Sequence, residues 1–332
     1  MTRLILTTDS SSAGALQCAG LADVVIAIER RLVWGPLPSE TELAAFFAPR
    51  SMQRRGLHWL HDTPPWRLEM SAVKDRGLIE LLSECESAEL WIGPEPNAQL
   101  ILLWLLDLCG GEKEAASKLV MRQLDGAASD AGPERFAKLN PPIVELTQDR
   151  LELARRAWRA YRASTPQAWF DLIDADLSRL PRLQHCALDL LEELPGVTNG
   201  LGATEMRILQ LIAPGEVHPF DVFPGHQKLN ERRAFDYWEV GALLDGLARC
   251  PVPAVSGLEE GPFTLALHDD PLRYARYKQS RLRLTDLGKA VLAGEEDFGG
   301  DNPIHRWWGA TELTNARLWR WDRERRLLVA PD

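Results

Sequence analysis

Six consecutive residues, Asp9-Ser10-Ser11-Ser12-Ala13-Gly14, place a carboxylate, three hydroxyls and a glycine directly after the strand-like run Leu4–Thr8. If that run is a strand and these residues open a helix, they sit among free backbone N–H groups and a partial positive charge. Such a cradle suits a phosphate or carboxylate. Asp9 opposes an anion unless a cation intervenes, and the chain has neither GxGxxG nor GxxxxGK[ST] here. The plainer alternative is that Ser11 or Ser12 caps the helix.

Two further groups follow later apolar runs. Glu29, Arg30 and Arg31 end "VVIAI". An acid at that place can hold a ribose hydroxyl, and Arg30 or Arg31 can balance an anion at the first loop. A solvated charge cluster is the alternative. Glu95, Asn97 and Gln99 follow "ELWIG". Asp9 with Glu95 would be a carboxylate pair fit for a divalent metal or acid–base work; alternatively Asn97 caps the helix that follows. The candidate ligand-binding set is therefore Asp9, Ser10, Ser11, Ser12, Gly14, Arg30, Glu95, Asn97 and Gln99. His58 and His61 in "HWLHD" lack a third ligand in a zinc spacing and read as a surface pair. GxSxG is absent, and none of the five cysteines forms a CxxC pair, so they read as reduced core residues. No catalytic residue, metal set or cofactor is assigned, and enzymatic activity stays open.

The elements that must position these groups alternate. Strands are expected at Leu4–Thr8, Val24–Ile28, Glu89–Gly93 and within "SKLVMRQLD", with helices between them. Ser39 or Thr41 would cap a helix carrying Leu43, Phe46 and Phe47. This predicts an α/β fold, an open and mostly parallel Rossmann-like sheet over residues 1–140. Residues 141–198 read as a helical connector without strands, with Leu151, Ala154, Trp158 and Tyr161 on one stripe. Residues 199–332 read as a winged-helix-like α+β domain: helices Thr204–Ile212, near 225–233 and Tyr237–Arg249, then a strand and short helix in "SRLRLTDLGKAVLAG". Trp307, Trp308, Trp319 and Trp321 would fill closing strands.

Several runs together resemble a bacterial family, the domain of unknown function numbered eighteen thirty-five. They are "DSSSAGAL", "WGPLPS", "LWIGPEPNAQLILLWLL", "LPRLQHCALDLLEELPGVTNGLGATEMRILQLI" and "LTDLGKAVLAG…HRWWGATEL…WRWD". The resemblance implies an α/β N-terminal half and a helical, winged-helix-like C-terminal half. Pro94 and Pro96 interrupt the acid-plus-amide cluster that family members carry after the third sheet strand.

Composition narrows the function classes. The 332 residues carry a net charge of −10, which argues against a broad basic surface for nucleic acid. On the expected recognition helix Asp236, Glu239 and Asp245 would meet phosphate with repulsion. A local strip, Arg273, Arg276, Lys278, Arg281 and Arg283 with Tyr274 and Tyr277, reads as a wing that could touch a backbone. The longest apolar run, Leu100–Leu106, is far short of the roughly 20 residues of a membrane span. With no signal peptide pattern, a cytoplasmic protein is expected. The expected function is binding of a small anionic or nucleotide-like ligand by the α/β half, with the C-terminal domain contacting a protein partner. The alternatives are a metal-assisted hydrolase or phosphoester enzyme using Asp9 and Glu95, and a transcription or RNA-associated regulator. Nucleic acid is the disfavoured partner, and a membrane is not expected.

Overall fold

The computed structural model describes residues 2–50, 58–60, 75–125, 133–223 and 234–331. His61, Asp62 and the helix expected near 225–233 lie outside them. The chain divides into two compact units, the first formed by 1–32, 37–162 and 172–186, the second by 33–36, 163–171 and 187–332. The segment read as a connector, 141–198, is shared between them.

The first unit is a mixed α/β layer structure around a five-stranded sheet. Its strands are β1 (Arg3–Thr7), β2 (Val24–Ala27), β3 (Ser87–Ile92), β4 (Leu119–Gln123) and β5 (Ile143–Glu145), in the order β2-β1-β3-β4-β5. The first four are mutually parallel; β5 runs antiparallel to β4. β5 corrects the expectation of a strand-free connector. It lies at the edge, and only its central residue is even half-buried, so it carries no buried apolar run to betray it.

The helices are α1 (Ser10–Cys18), α2 (Glu40–Phe47), α3 (Leu78–Glu84), α4 (Pro96–Cys109), α5 (Lys113–Lys118), α6 (Pro133–Lys138) and α7 (Gln148–Tyr161). Ser39 starts α2 in a capping box with Glu42. Ile5, Val25, Ala27 and Trp91 form one core with Ala13, Leu16 and Phe136, so this sheet face packs on α1 and α6. β1 connects outward to β2 on one side, and β3 to β4 on the other. Right-handed crossovers moving in opposite directions put α1 and α4 on opposite faces. α4 is buried along nearly its whole length, as a helix covered on all sides must be, and packs on α7 with Trp104 near-parallel to Trp158 at 6.4 Å.

The second unit holds helices α8 (Gln167–Phe170), α10 (Ala203–Ile212), α11 (Tyr237–Ala248), α12 (Leu265–His268), α13 (Pro271–Gln279), α14 (Asp286–Ala293) and α15 (Phe298–Asp301). The intervening helix, α9 (Leu183–Leu191), is shared between the units. Three two-stranded sheets complete it: β6 (Val255–Ser256) with β7 (Arg283–Leu284), β8 (His305–Trp308) with β9 (Thr311–Thr314), and β10 (Arg320–Asp322) with β11 (Leu327–Val329). Ile208, Leu244, Val255, Tyr277 and Val291 centre its core. Trp308 and Trp321 are buried, Trp307 and Trp319 half-buried, in separate hairpins rather than one closing sheet. No described helix is long and apolar enough to cross a membrane.

Candidate functional site

The strand order of the first unit reverses between β1 and β3, so α1 and α4 leave the same sheet edge towards opposite faces. In open α/β sheets that point is where a crevice forms outside the carboxyl ends of the strands. Every residue of the predicted set sits at one of its three strand exits or in the first two turns of the helix that follows.

At the first exit Asp9, not Ser11 or Ser12, is the N-cap of α1. Its carboxylate accepts from the Ser12 backbone N–H at 2.8 Å and from the Ser12 hydroxyl at 2.6 Å. Glu29, at the end of β2, accepts from the Ser10 N–H at 2.5 Å and from the Ser10 hydroxyl. Two carboxylates of the chain thus occupy the N–H and hydroxyl donors of Ser10 and Ser12, which an incoming anion would use. They also neutralise the positive helix end. Ser11 is exposed and Gly14 half-buried within the helix. The hydroxyls and glycine do not form an empty anion cradle.

At the second exit Arg30 turns to α2, its guanidinium 5.2 Å from the Phe46 ring centre. Burial pulls its pKa below the usual arginine value, with nearby Glu42 acting in the opposite sense. It does not join the α1 hydroxyls. At the third exit Asn97 is not a cap. Its Oδ1 accepts from Leu32 N at 2.7 Å and its Nδ2 donates to Arg30 O at 2.8 Å, tying the β2 exit to α4. Gln99 Nε2 donates to Gly93 O at 2.7 Å. The Glu95 carboxylate lies over the Gly93 Cα, where any Cβ would collide with it. The two amides therefore hold the loops in place, each satisfied as buried polar groups require.

Two residues outside the predicted set stand out. Thr7 is fully buried and its hydroxyl has no hydrogen-bond partner, although its carbonyl accepts from Ile28 N at 2.7 Å. Gln123 Nε2 is likewise buried without a partner. Thr7 ends β1 and Gln123 ends β4, so both lie at the edge that carries the loops. By strand alternation Thr7 follows Ile5 on the α1 face, whereas Gln123 lies opposite Arg122, which contacts Trp91, and so takes the other face. Among the described residues these are the two orphaned buried side-chain polar atoms of the first unit. The sequence signal was slight: Thr7 closes β1 and Arg122-Gln123 close β4 after apolar residues.

Among the described residues no three His, Cys, Asp or Glu side chains are grouped to hold a metal ion. His58 is not a surface residue. It is buried, with Nε2 2.9 Å from Ala48 O and Nδ1 accepting from Leu60 N at 3.2 Å, and burial lowers its pKa. Those partners fix a neutral ring that donates from Nε2.

In the second unit the acids of the expected recognition helix are used internally. Asp236 caps α11 and exchanges a capping box with Glu239, which is buried; Asp245 is buried beside Arg249 at 3.5 Å. Of the basic strip, Arg273, Arg276 and Lys278 lie on a helix, α13, whereas Arg281 follows it and Arg283 is on β7. Arg273 and Arg276 pair with Glu260 at 3.1 and 2.5 Å, and Arg281 and Arg283 both pair with Glu216. Tyr277 is buried and Lys278 lies 4.8 Å from the Tyr274 ring. No protein-family profile matches the chain, and no curated protein matches it.

Proposed function

We propose that the first unit, read as a Rossmann-like domain, binds a small polar ligand at the carboxyl edge of its sheet. The ligand is of nucleoside type, an uncharged ring or sugar with donors and acceptors. The carrying observation is the orphaned hydroxyl of Thr7 at the end of β1; Gln123 Nε2, at the end of β4 on the opposite face, is the second orphan of the same edge. Native structures leave few such groups, and each leaves a desolvation cost of about 1–3 kcal/mol unless something bonds it. The anionic half of the expectation loses support because Asp9 and Glu29 fill the α1 donors. Occupation of Asp9 by Ser12, on both carboxylate oxygens, likewise weighs against a hydrolase built on Asp9 and Glu95.

A thermal-shift panel of nucleosides, nucleotides and inorganic phosphate tests the reading. Nucleosides are expected to raise Tm and phosphate to leave it unchanged. Thr7→Val removes an unbonded hydroxyl, so the free protein keeps or gains stability while the nucleoside shift disappears. A flat panel, or a full shift in Thr7→Val, refutes the proposal.

The second unit we read as winged-helix-like and devoted to protein contact. Supporting this are the order α10, α11, β6, β7 and the antiparallel bridge Val217–Leu282, which adds a third short strand position to β6 and β7. Helices α12 and α13 stand in the wing's place, and with α11 they expose Trp238, Leu265 and Leu272. The resemblance to the eighteen thirty-five family belongs to the same proposal, supported by a sheet-bearing first unit followed by a largely helical second. The paired arginines predict no retention of duplex DNA even at low salt. Salt-dependent binding lost on reversing Arg276, Lys278 and Arg281 would instead favour the regulator.

A further inference from the structure

The second unit contains a cavity of about 180 Å³ that has no role in the reading above. On the same measure one water needs only about 10–15 Å³, so the space holds a small organic molecule. Its wall comes from three places. Helix α10 presents Ala203, Met206, Arg207 and Gln210, which recur three and four apart and so share one face. The turn after α9 supplies Glu192 and Leu194. Strand β10 supplies Trp321, with Arg323 just beyond it.

The wall is held firmly. Trp321 N donates to Pro195 O at 2.9 Å, and Arg320 Nη1 to Gly196 O at 2.9 Å, fastening β10 to the turn. Ala203 N donates to Glu192 O at 2.8 Å, fastening α10 to the same segment. The Trp321 ring is braced edge-on by Phe170 at 6.0 Å.

Two groups in this wall are unanswered. Trp321 is 4% exposed and its indole Nε1 is buried with no hydrogen-bond partner. The indole can only donate, so the missing partner is an acceptor. Arg207 donates from Nη1 to Gln210 Oε1 at 2.6 Å, a neutral group, and among the described residues no carboxylate pairs with it. Glu192 is already engaged by Arg323, 3.6 Å away. Two guanidinium groups against one carboxylate leave the wall net positive, beside the apolar side chains of Leu194, Leu201 and Met206.

We infer that this cavity is a binding site for a small carboxylate with a short apolar stem, its oxygens answering Trp321 Nε1 and Arg207. The stem lies on Leu194, Leu201 and Met206. A charge-assisted bond to a guanidinium fixes the carboxylate end and the cavity's size limits the stem.

The test uses the full chain with a series of straight-chain carboxylates and the matching alcohols. Binding is read by calorimetry and by the indole N–H resonances of the 12 tryptophans. The peak missing from Trp321→Phe identifies Trp321. A short carboxylate is expected to move that peak and to bind saturably; the alcohol is not. Trp321→Phe keeps a smaller aromatic ring and gives up no internal hydrogen bond, and it is expected to weaken binding about tenfold. Arg207→Gln is expected to do the same while leaving the Trp321 peak in place in the free protein. Thr7→Val leaves this binding intact, which separates it from the nucleoside proposal. Equal binding of alcohol and acid, no saturation with any member, or wild-type affinity in both variants overturns the inference.

Discussion

Glu193 is sealed inside the second unit, where its carboxylate accepts from the Thr204 hydroxyl at 2.6 Å and from Thr204 N at 3.1 Å. Burial is the larger effect and pushes its pKa from an ordinary 4.5 up to about 7; the Thr204 bonds and Arg306 only partly resist it. The folded chain keeps this proton where the unfolded chain has lost it. The contribution of Glu193 to stability is therefore greatest below about pH 4.5, falls as pH rises towards about 7, and is level above that. At about 1.4 kcal/mol per pH unit the loss is about 3 kcal/mol. Glu193→Gln retains one acceptor for Thr204 N and can donate to the Thr204 hydroxyl. Chemical denaturation at pH 5 and pH 8 is expected to show the variant close to wild type at the lower pH and more stable at the higher. A wild-type slope that survives the substitution would assign the proton elsewhere. Single residues were the least legible scale in the sequence. Asp9 to Gly14 announced a polar helix start, but Glu29, 19 residues beyond Ser10, decided that its donors were spoken for. The same holds for Glu193, whose neighbours come from the start of α10.

Elements gave themselves away when their pattern came from burial. The first four strands were readable because each is an apolar run with a buried core. β5, exposed at the edge, had no such run. The basic strip from Arg273 to Arg283 reads as a wing by its charges, yet 271–279 is a helix. Asp270 caps it and Pro271 occupies its first turn, which is the start signal of a helix. Positions where elements meet are the sensitive ones. Asn97 joins the β2 exit to α4 through both arms of its amide, so Asn97→Ala leaves Leu32 N and Arg30 O without partners and is expected to cost about 2–4 kcal/mol. Asn97→Asp is no rescue, because its carboxylate would face the Arg30 carbonyl. In the second unit Gly288, within the first turn of α14, lies so close to the Ala254 carbonyl that a Cβ would overlap it. Gly288→Ala is expected to lower stability by about 1–3 kcal/mol, read from the denaturation midpoint. An unchanged midpoint would mean that α14 can slide away from β6.

At the scale of the molecule the sequence indicated two bodies but not their interleaving. Composition and periodicity change along a chain, whereas membership of a compact unit depends on contacts between distant segments. Residues 33–36 and 163–171 belong to the second unit although the first unit flanks them. Fragments test this directly. Residues 1–140 lack β5 and α7, which leaves Trp104 without Trp158, and are expected to give a poorly dispersed NMR spectrum. Residues 1–186 carry every segment of the first unit and are expected to fold. Equal dispersion in both fragments would show that α7 is dispensable.

The same interleaving sets an order during synthesis. The first unit has all its segments once residue 186 has left the ribosome, while the second still lacks everything from 187 onward. Trp169 has an early and a late partner: its indole donates to Ala187 O at 3.2 Å, 18 residues on, and its ring meets Trp308 edge-on at 6.3 Å, well over a hundred residues on. The second contact waits for those residues to be made, at the ~5–20 residues per second of a translating ribosome. The packing around Trp169 is thus completed only when the β8–β9 hairpin has been made.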